Sequence, residues 1–184
     1  MKFYTNSTSV KFRWDQVSNA VFKRYPNPWS KHVLSEDVIS RKVDGPILRT
    51  VRILTKTNKA PKFASRFVPT SPGCVIEESH INAKEKTIVT YTRNLCYKHI
   101  MEVDERCEYK VSPDSKSWTL LTRQAWISSS LYGFARAIES LGVERYKKNI
   151  KKSVKGLEYI LTKMYIPDKI PCSINTTVPI PHTM

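Results

Sequence analysis

Seven stretches of β-type pattern follow one another along this chain before one long helical period closes the series. Phe3-Tyr4-Thr5-Asn6-Ser7-Thr8-Ser9-Val10 comes first. After a short helical interruption, Trp14 to Arg24, come Val33 to Val43, Leu48 to Thr57, Cys74 to Ile81, Thr87 to Leu95, Met101 to Val111 and Ser117 to Ile127. Polar joints at Asp44-Gly45-Pro46, Asn82–Lys86, Tyr97–Ile100 and Ser112–Lys116 suit antiparallel pairing of neighbours. From Leu131 to Met164, Leu131, Phe134, Ala135, Ile138, Leu141, Ile150, Val154, Leu157, Leu161 and Met164 recur at helical spacing. Successive antiparallel strands with one long amphipathic helix laid across them make an α+β architecture. If strongly curved, such a sheet encloses a cavity against the helix. In the last strand Trp118, Leu120, Thr122, Gln124 and Trp126 alternate with Thr119, Leu121, Arg123, Ala125 and Ile127. The aromatic ends point to the first set as the buried face.

A chain of 184 residues makes one domain, expected over residues 1–164, with a sizeable core. Residues 165–184 carry four prolines and no apolar period, the pattern of an extended or disordered tail. No window reaches the ~18 consecutive apolar residues a membrane span needs, so a soluble or peripheral protein is expected. No secretory signal is visible, and any organelle targeting is expected to be non-cleavable. The charge is unusual: 31 Lys+Arg against 16 Asp+Glu give a formal +15. An excess of that size calls for an anionic partner, whether lipid, nucleic acid or acidic protein.

Three segments stand out locally. In Arg24-Tyr25-Pro26-Asn27-Pro28-Trp29-Ser30-Lys31-His32, two prolines flank an asparagine and make a stiff joint between helix and strand, holding Arg24, Lys31 and His32 on a corner. Asn58 to Gly73 is long for a strand connector and holds Lys59, Pro61, Lys62, Phe63, Arg66 and Phe67 without an acid. Rings beside cations fit a lid that dips into an anionic membrane, and equally a loop packed on its own domain. In Arg145 to Lys155, five lysines without an acid repel one another along one side of the long helix, unless the run is simply a solvated face. Arg145 and Lys152, two turns apart, could point into the domain instead of outward.

No enzyme constellation is present. The chain has five glycines and no phosphate loop, no GxSxG and no HExxH, and its four histidines are scattered. Glu77-Glu78 and Asp104-Glu105 are consecutive on strands, so each pair divides between opposite faces and makes a poor dyad. Cys74, Cys96, Cys107 and Cys172 lack ligand spacing and are expected as free thiols, with no metal and no cofactor.

Several of these segments, in this order, resemble the PRELI family of mitochondrial lipid-transfer proteins. The likeness runs over residues 1–164 through Arg24-Tyr25-Pro26-Asn27-Pro28, His32-Val33-Leu34, Leu54 to Lys59, Val103-Asp104-Glu105-Arg106, Ala125 to Ser130 and Lys152 to Leu161. It is nearest the branch that carries phosphatidic acid. The resemblance implies a curved seven-stranded antiparallel sheet closed by a long C-terminal helix and shorter helices around a lipid pocket, similar to the START and phosphatidylinositol-transfer folds. It implies a carrier of phosphatidic acid between the outer and inner mitochondrial membranes, supporting cardiolipin synthesis. The carrier would reside in the intermembrane space, paired with a TRIAP-like helical-hairpin protein bearing twin Cx9C motifs. By position it implies headgroup binding by Arg24, His32, Lys56, Lys59, Arg145 and Lys152, and a lid containing Lys59, Pro61, Lys62, Phe63, Arg66 and Phe67. Transient docking on an anionic membrane and no nucleic-acid partner complete the expectation. The alternative from the residues alone is a basic protein-interaction or nucleic-acid-binding module.

Overall fold

The computed structural model describes residues 1–57 and 71–165. The lid residues Lys59, Pro61, Lys62, Phe63, Arg66 and Phe67 and the tail after Tyr165 lie outside the described residues. The elements are β1 (Lys2–Val10), α1 (Trp14–Val21), β2 (Val33–Asp44), β3 (Ile47–Lys56), β4 (Gly73–Asn82), β5 (Thr87–Asn94), β6 (Glu102–Val111), β7 (Thr119–Ser128) and α2 (Ala135–Met164). Every expected strand is present within about two residues of its sequence bounds, whereas the long helix starts four residues after Leu131.

The strands form one antiparallel sheet in the order β1-β7-β6-β5-β4-β3-β2. From β2 to β7 each strand pairs with the next one in sequence. β1 is the exception and closes onto β7, with Val10 opposite Thr119 and Lys2 opposite Ile127. The chain leaving β1 must therefore cross to the far edge to begin β2. It does so through α1 and the Pro26-Asn27-Pro28 corner. The sheet is open, with β1 and β2 as its edges, and β2 is bulged at Val33/Ser35 and Val38/Ser40, which bends that edge.

α1 begins where the Arg13 amide donates to Gln16 Oε1 at 3.0 Å, half of a capping box. Its apolar side, Trp14, Val17, Ala20 and Val21, is buried with Val10, Leu157 and Leu161. α2 lies against α1, β1 and β7. Two of its glycines make that approach possible. A Cβ on Gly142 would sit 2.8 Å from Ile127 Cγ2, and one on Gly156 would sit 2.7 Å from Asn27 Oδ1. Asn27 is itself pinned, since its Nδ2 donates to the Arg24 carbonyl (2.5 Å) and its Oδ1 accepts from the Trp29 amide (3.0 Å). The proline corner thus serves as the seat for the long helix.

The inner face of β7 is the reverse of the sequence expectation. Thr119, Leu121, Arg123, Ala125 and Ile127 are buried, while the set containing Trp126 is half-buried on the outer face. The reason is room: α2 comes so close at Gly142 that Ile127 and Met101 already fill the space beneath it. The tryptophans find other partners, Trp126 against the Phe3 ring at 5.4 Å and Trp118 under the Lys11 ammonium at 5.5 Å.

Candidate lipid-headgroup site

Register sorts the inner face of the sheet into three rows. Leu48, Ile81, Ile88, Tyr109 and Leu121 face one another from β3 to β7 and form the apolar end under α1 and α2. The next row, Thr50, Ser79, Thr90, Cys107 and Arg123, is mostly small. The third row is charged: Arg52, Glu77, Thr92 and Glu105. Small side chains leave space between sheet and helix, and the charged row gives that space polar walls.

The result is a cavity of about 200 Å³. Arg24, Tyr25 and His32 line it from the proline corner, and Lys56, Glu77, Glu105, Tyr109 and Arg123 line it from the strands. Tyr146, Ile150, Lys152 and Ser153 contribute from α2. The strongest feature of its wall is Glu77. One carboxylate oxygen accepts from Arg24 and the other from Arg52, its cross-strand partner, whose second arm reaches Glu36 at 2.5 Å. Burial pushes the Glu77 carboxyl up, but the two guanidinium groups outweigh it and hold the carboxyl below its usual range. Glu78, the next residue, points to the other face and contacts His80 at 2.7 Å, the division expected for neighbours on a strand.

On the far wall, the Tyr146 hydroxyl donates to Glu105 Oε1 at 2.5 Å, and Arg123 Nε lies 3.8 Å from the same oxygen. Arg123 Nη2 reaches Ser153 Oγ at 3.4 Å. Two guanidinium nitrogens in this wall, Arg24 Nε and Arg123 Nη1, are buried without a hydrogen-bond partner. Buried donors left open in this way carry a desolvation cost until something accepts from them.

Of the expected headgroup residues, Arg24, His32, Lys56 and Lys152 converge on this one cavity. Lys56 is held below the ordinary lysine range by burial and by Arg24. His32 is also pushed down, by partial burial and then by Lys56, Arg145 and Lys152. Arg145 sits on the exposed side of α2 and bears on His32 without lining the cavity. Lys59 falls outside the described residues. The lysine run is less bare than the sequence suggests: Lys147 pairs with Glu144 at 3.1 Å and covers the Tyr4 ring, and Lys155 lies 4.8 Å from the Trp29 ring. Sequence reasoning considered Glu77 and Glu105 only as members of poor catalytic dyads, and gave no role to Arg52, Tyr146 or Arg123. The signal available for them was a charged residue at an inner-face position of consecutive strands, which becomes visible only once register is known.

The pattern of the PRELI-like family matches residues 15–166. The chain belongs to the PRELI-like family. It is 44% identical over 167 residues to PRELI domain-containing protein 1, mitochondrial, of Gallus gallus, spanning 89% of this chain and 78% of that protein. To Protein UPS1, mitochondrial, of Saccharomyces cerevisiae it is 37% identical over 150 residues, spanning 80% and 86%. Among solved structures, a START superfamily protein from Mycobacterium smegmatis superposes with a TM-score of 0.55 at 17% identity, over 89% of this chain and 99% of that one, a likeness of fold. This PRELI-like chain is accordingly a mitochondrial protein of the lipid-binding, lipid-transfer type.

Proposed function

We propose that the protein extracts phosphatidic acid from the outer mitochondrial membrane and delivers it across the intermembrane space to the inner membrane, where it feeds cardiolipin synthesis. The observation that carries this reading is Arg24: a buried guanidinium lining the cavity, anchored by Glu77 through one nitrogen, with its Nε buried and without a hydrogen-bond partner. A planar guanidinium suits phosphate geometry. Lys56 and Lys152 add positive potential from opposite walls. The cavity has room for a phosphate and glycerol, and the acyl chains must be shielded by surfaces beyond it. Shielding is essential, because each exposed CH₂ costs about 0.8 kcal/mol in water.

Binding is reversible and breaks no bond. No cofactor takes part, and the groups around the cavity are cations in excess of carboxylates together with neutral hydroxyls and a thiol. Burial raises the Cys107 thiol and the Tyr109 and Tyr146 hydroxyls above their usual values, so none supplies a nucleophile at neutral pH. The edge strand β2 exposes Leu34, Val38, Ile39 and Val43. An uncovered apolar edge is a liability in a carrier, and a small twin-Cx9C helical hairpin is the proposed cover. The lysine-rich side of α2 suits brief docking on anionic bilayers.

The test is donor-to-acceptor liposome transfer of fluorescent phosphatidic acid by the protein co-expressed with that partner, with phosphatidylserine and phosphatidylcholine in parallel. Selective movement of phosphatidic acid, lowered by Arg24→Ala and by Lys152→Glu, is the expected result. A folded complex that moves no lipid overturns the proposal and leaves a basic interaction module.

A further inference from the structure

Arg123 is poorly accounted for by its neighbours among the described residues. It is 3% exposed, on the inner face of β7, in a row otherwise made of Thr50, Ser79, Thr90 and Cys107. A fully buried guanidinium is normally paired with a carboxylate at close range. Its carboxylate neighbour among the described residues, Glu105, is 3.8 Å away and already accepts the short hydrogen bond from Tyr146. Ser153 offers a long contact at 3.4 Å, and Nη1 has no partner.

Arg24 lines the same cavity in a similar condition, with a buried Nε that has no hydrogen-bond partner. The two groups share a neighbourhood: both hold down the Cys107 thiol and the Tyr109 hydroxyl against the upward push of burial. Charge around the cavity points the same way. Arg24, Lys56, Arg123 and Lys152 line it against Glu77 and Glu105, four cations against two carboxylates, with His32 on its neutral side at pH 7. The lining therefore carries two more cations than carboxylates. A phosphomonoester near neutral pH carries close to two negative charges and three terminal oxygens. A phosphodiester has one charge and two such oxygens.

We infer that Arg123 is a specificity-determining residue, the second guanidinium of a two-arginine clamp with Arg24 that selects phosphomonoester over phosphodiester lipids. This rests on the lipid-carrier reading and says why that carrier would prefer phosphatidic acid. The phosphate sits between the walls, accepting from Arg24 Nε on one side and from Arg123 Nη1 on the other. Capping one oxygen with any alcohol removes a charge and an acceptor together, so discrimination does not depend on headgroup size.

The experiment compares binding of short-chain phosphatidic acid with short-chain phosphatidylmethanol, which adds one methyl to the phosphate. The protein is the co-purified complex, wild type and Arg123→Gln. The wild type is expected to bind the monoester at least about tenfold more tightly, the scale of one charge-assisted hydrogen bond. Arg123→Gln should lose about tenfold for phosphatidic acid and under about threefold for phosphatidylmethanol, so the ratio collapses. Because Arg123 is short of partners in the empty protein, the variant should unfold at a denaturant midpoint no lower than wild type. A midpoint clearly below wild type would make Arg123 structural and overturn the clamp. Equal binding of the two lipids by wild type would overturn it with no variant needed, and so would an unchanged ratio in Arg123→Gln. If wild type binds neither lipid, the carrier reading itself fails, an outcome distinct from these.

Discussion

Replacing Glu77 by Gln tests the arrangement that holds the cavity wall together. The Glu77 side chain is 2% exposed, and each of its oxygens faces a guanidinium, Arg52 at 1% and Arg24 at 15% exposure. Glutamine keeps the shape and one acceptor but removes the charge. Arg52 then retains Glu36, whereas Arg24 retains only the Tyr25 ring at 5.0 Å. Leaving a buried ion without its partner costs about 3–5 kcal/mol. The remaining carbonyl acceptor and Glu36 offset part of that, so a loss of about 3 kcal/mol is expected at pH 7. Against a domain stability of about 5–15 kcal/mol, that is a large shift. Urea titrations followed by circular dichroism, with m unchanged, would measure it.

Acid supplies a second check on the same residue. The folded Glu77 carboxyl lies below its usual value, so its contribution is fully present above about pH 4.5 and is lost as pH falls through the folded value. Wild type and Glu77→Gln should therefore approach each other in stability as pH falls below about 4.5, and meet only once pH is below the lowered folded value. A difference under about 1 kcal/mol at pH 7, or one that persists unchanged into acid, would refute the reasoning.

Other outcomes follow from the same geometry. Gly156→Ala should destabilise by about 1–3 kcal/mol despite the better helix propensity of alanine, because the pinned Asn27 cannot retreat from the new methyl. Gly142→Ala should cost less, since one of its two close contacts is the flexible Met101 thioether; equal urea midpoints for the two variants would contradict this. His32 should titrate below the ordinary 6.5 in the empty protein, read by NMR of its ring protons, and move upward when short-chain phosphatidic acid binds. Since the depressed value disfavours the charged form in the fold, stability should fall as pH drops through about 6.5, and His32→Asn should flatten that limb. An empty-state midpoint at or above 6.5 would remove the cationic surroundings assigned to it.

Period and turn chemistry alone, read along the chain, are enough to place seven strands, their hairpin joints and a long amphipathic helix. These are local properties: alternation defines a strand, Asp44-Gly45-Pro46 defines a turn, and a repeat near 3.6 defines a helix. The proline corner and its cations were legible for the same reason, as a stiff segment with charges attached. Tertiary structure alone decided which face of β7 turns inward, because alternation says which residues travel together but not which set meets the helix. Here the close approach at Gly142 excluded the tryptophans. It also decided the closure of β1 onto β7 and the bridge from Arg24 through Glu77 to Arg52, residues far apart in the chain that share one carboxylate. Arg123 looked like one polar residue in a mixed strand. Its meaning comes from what surrounds it in space: a cavity, an opposing arginine and a carboxylate already taken. Electrostatics and packing depend on such distances, and the order of residues along a chain does not contain them.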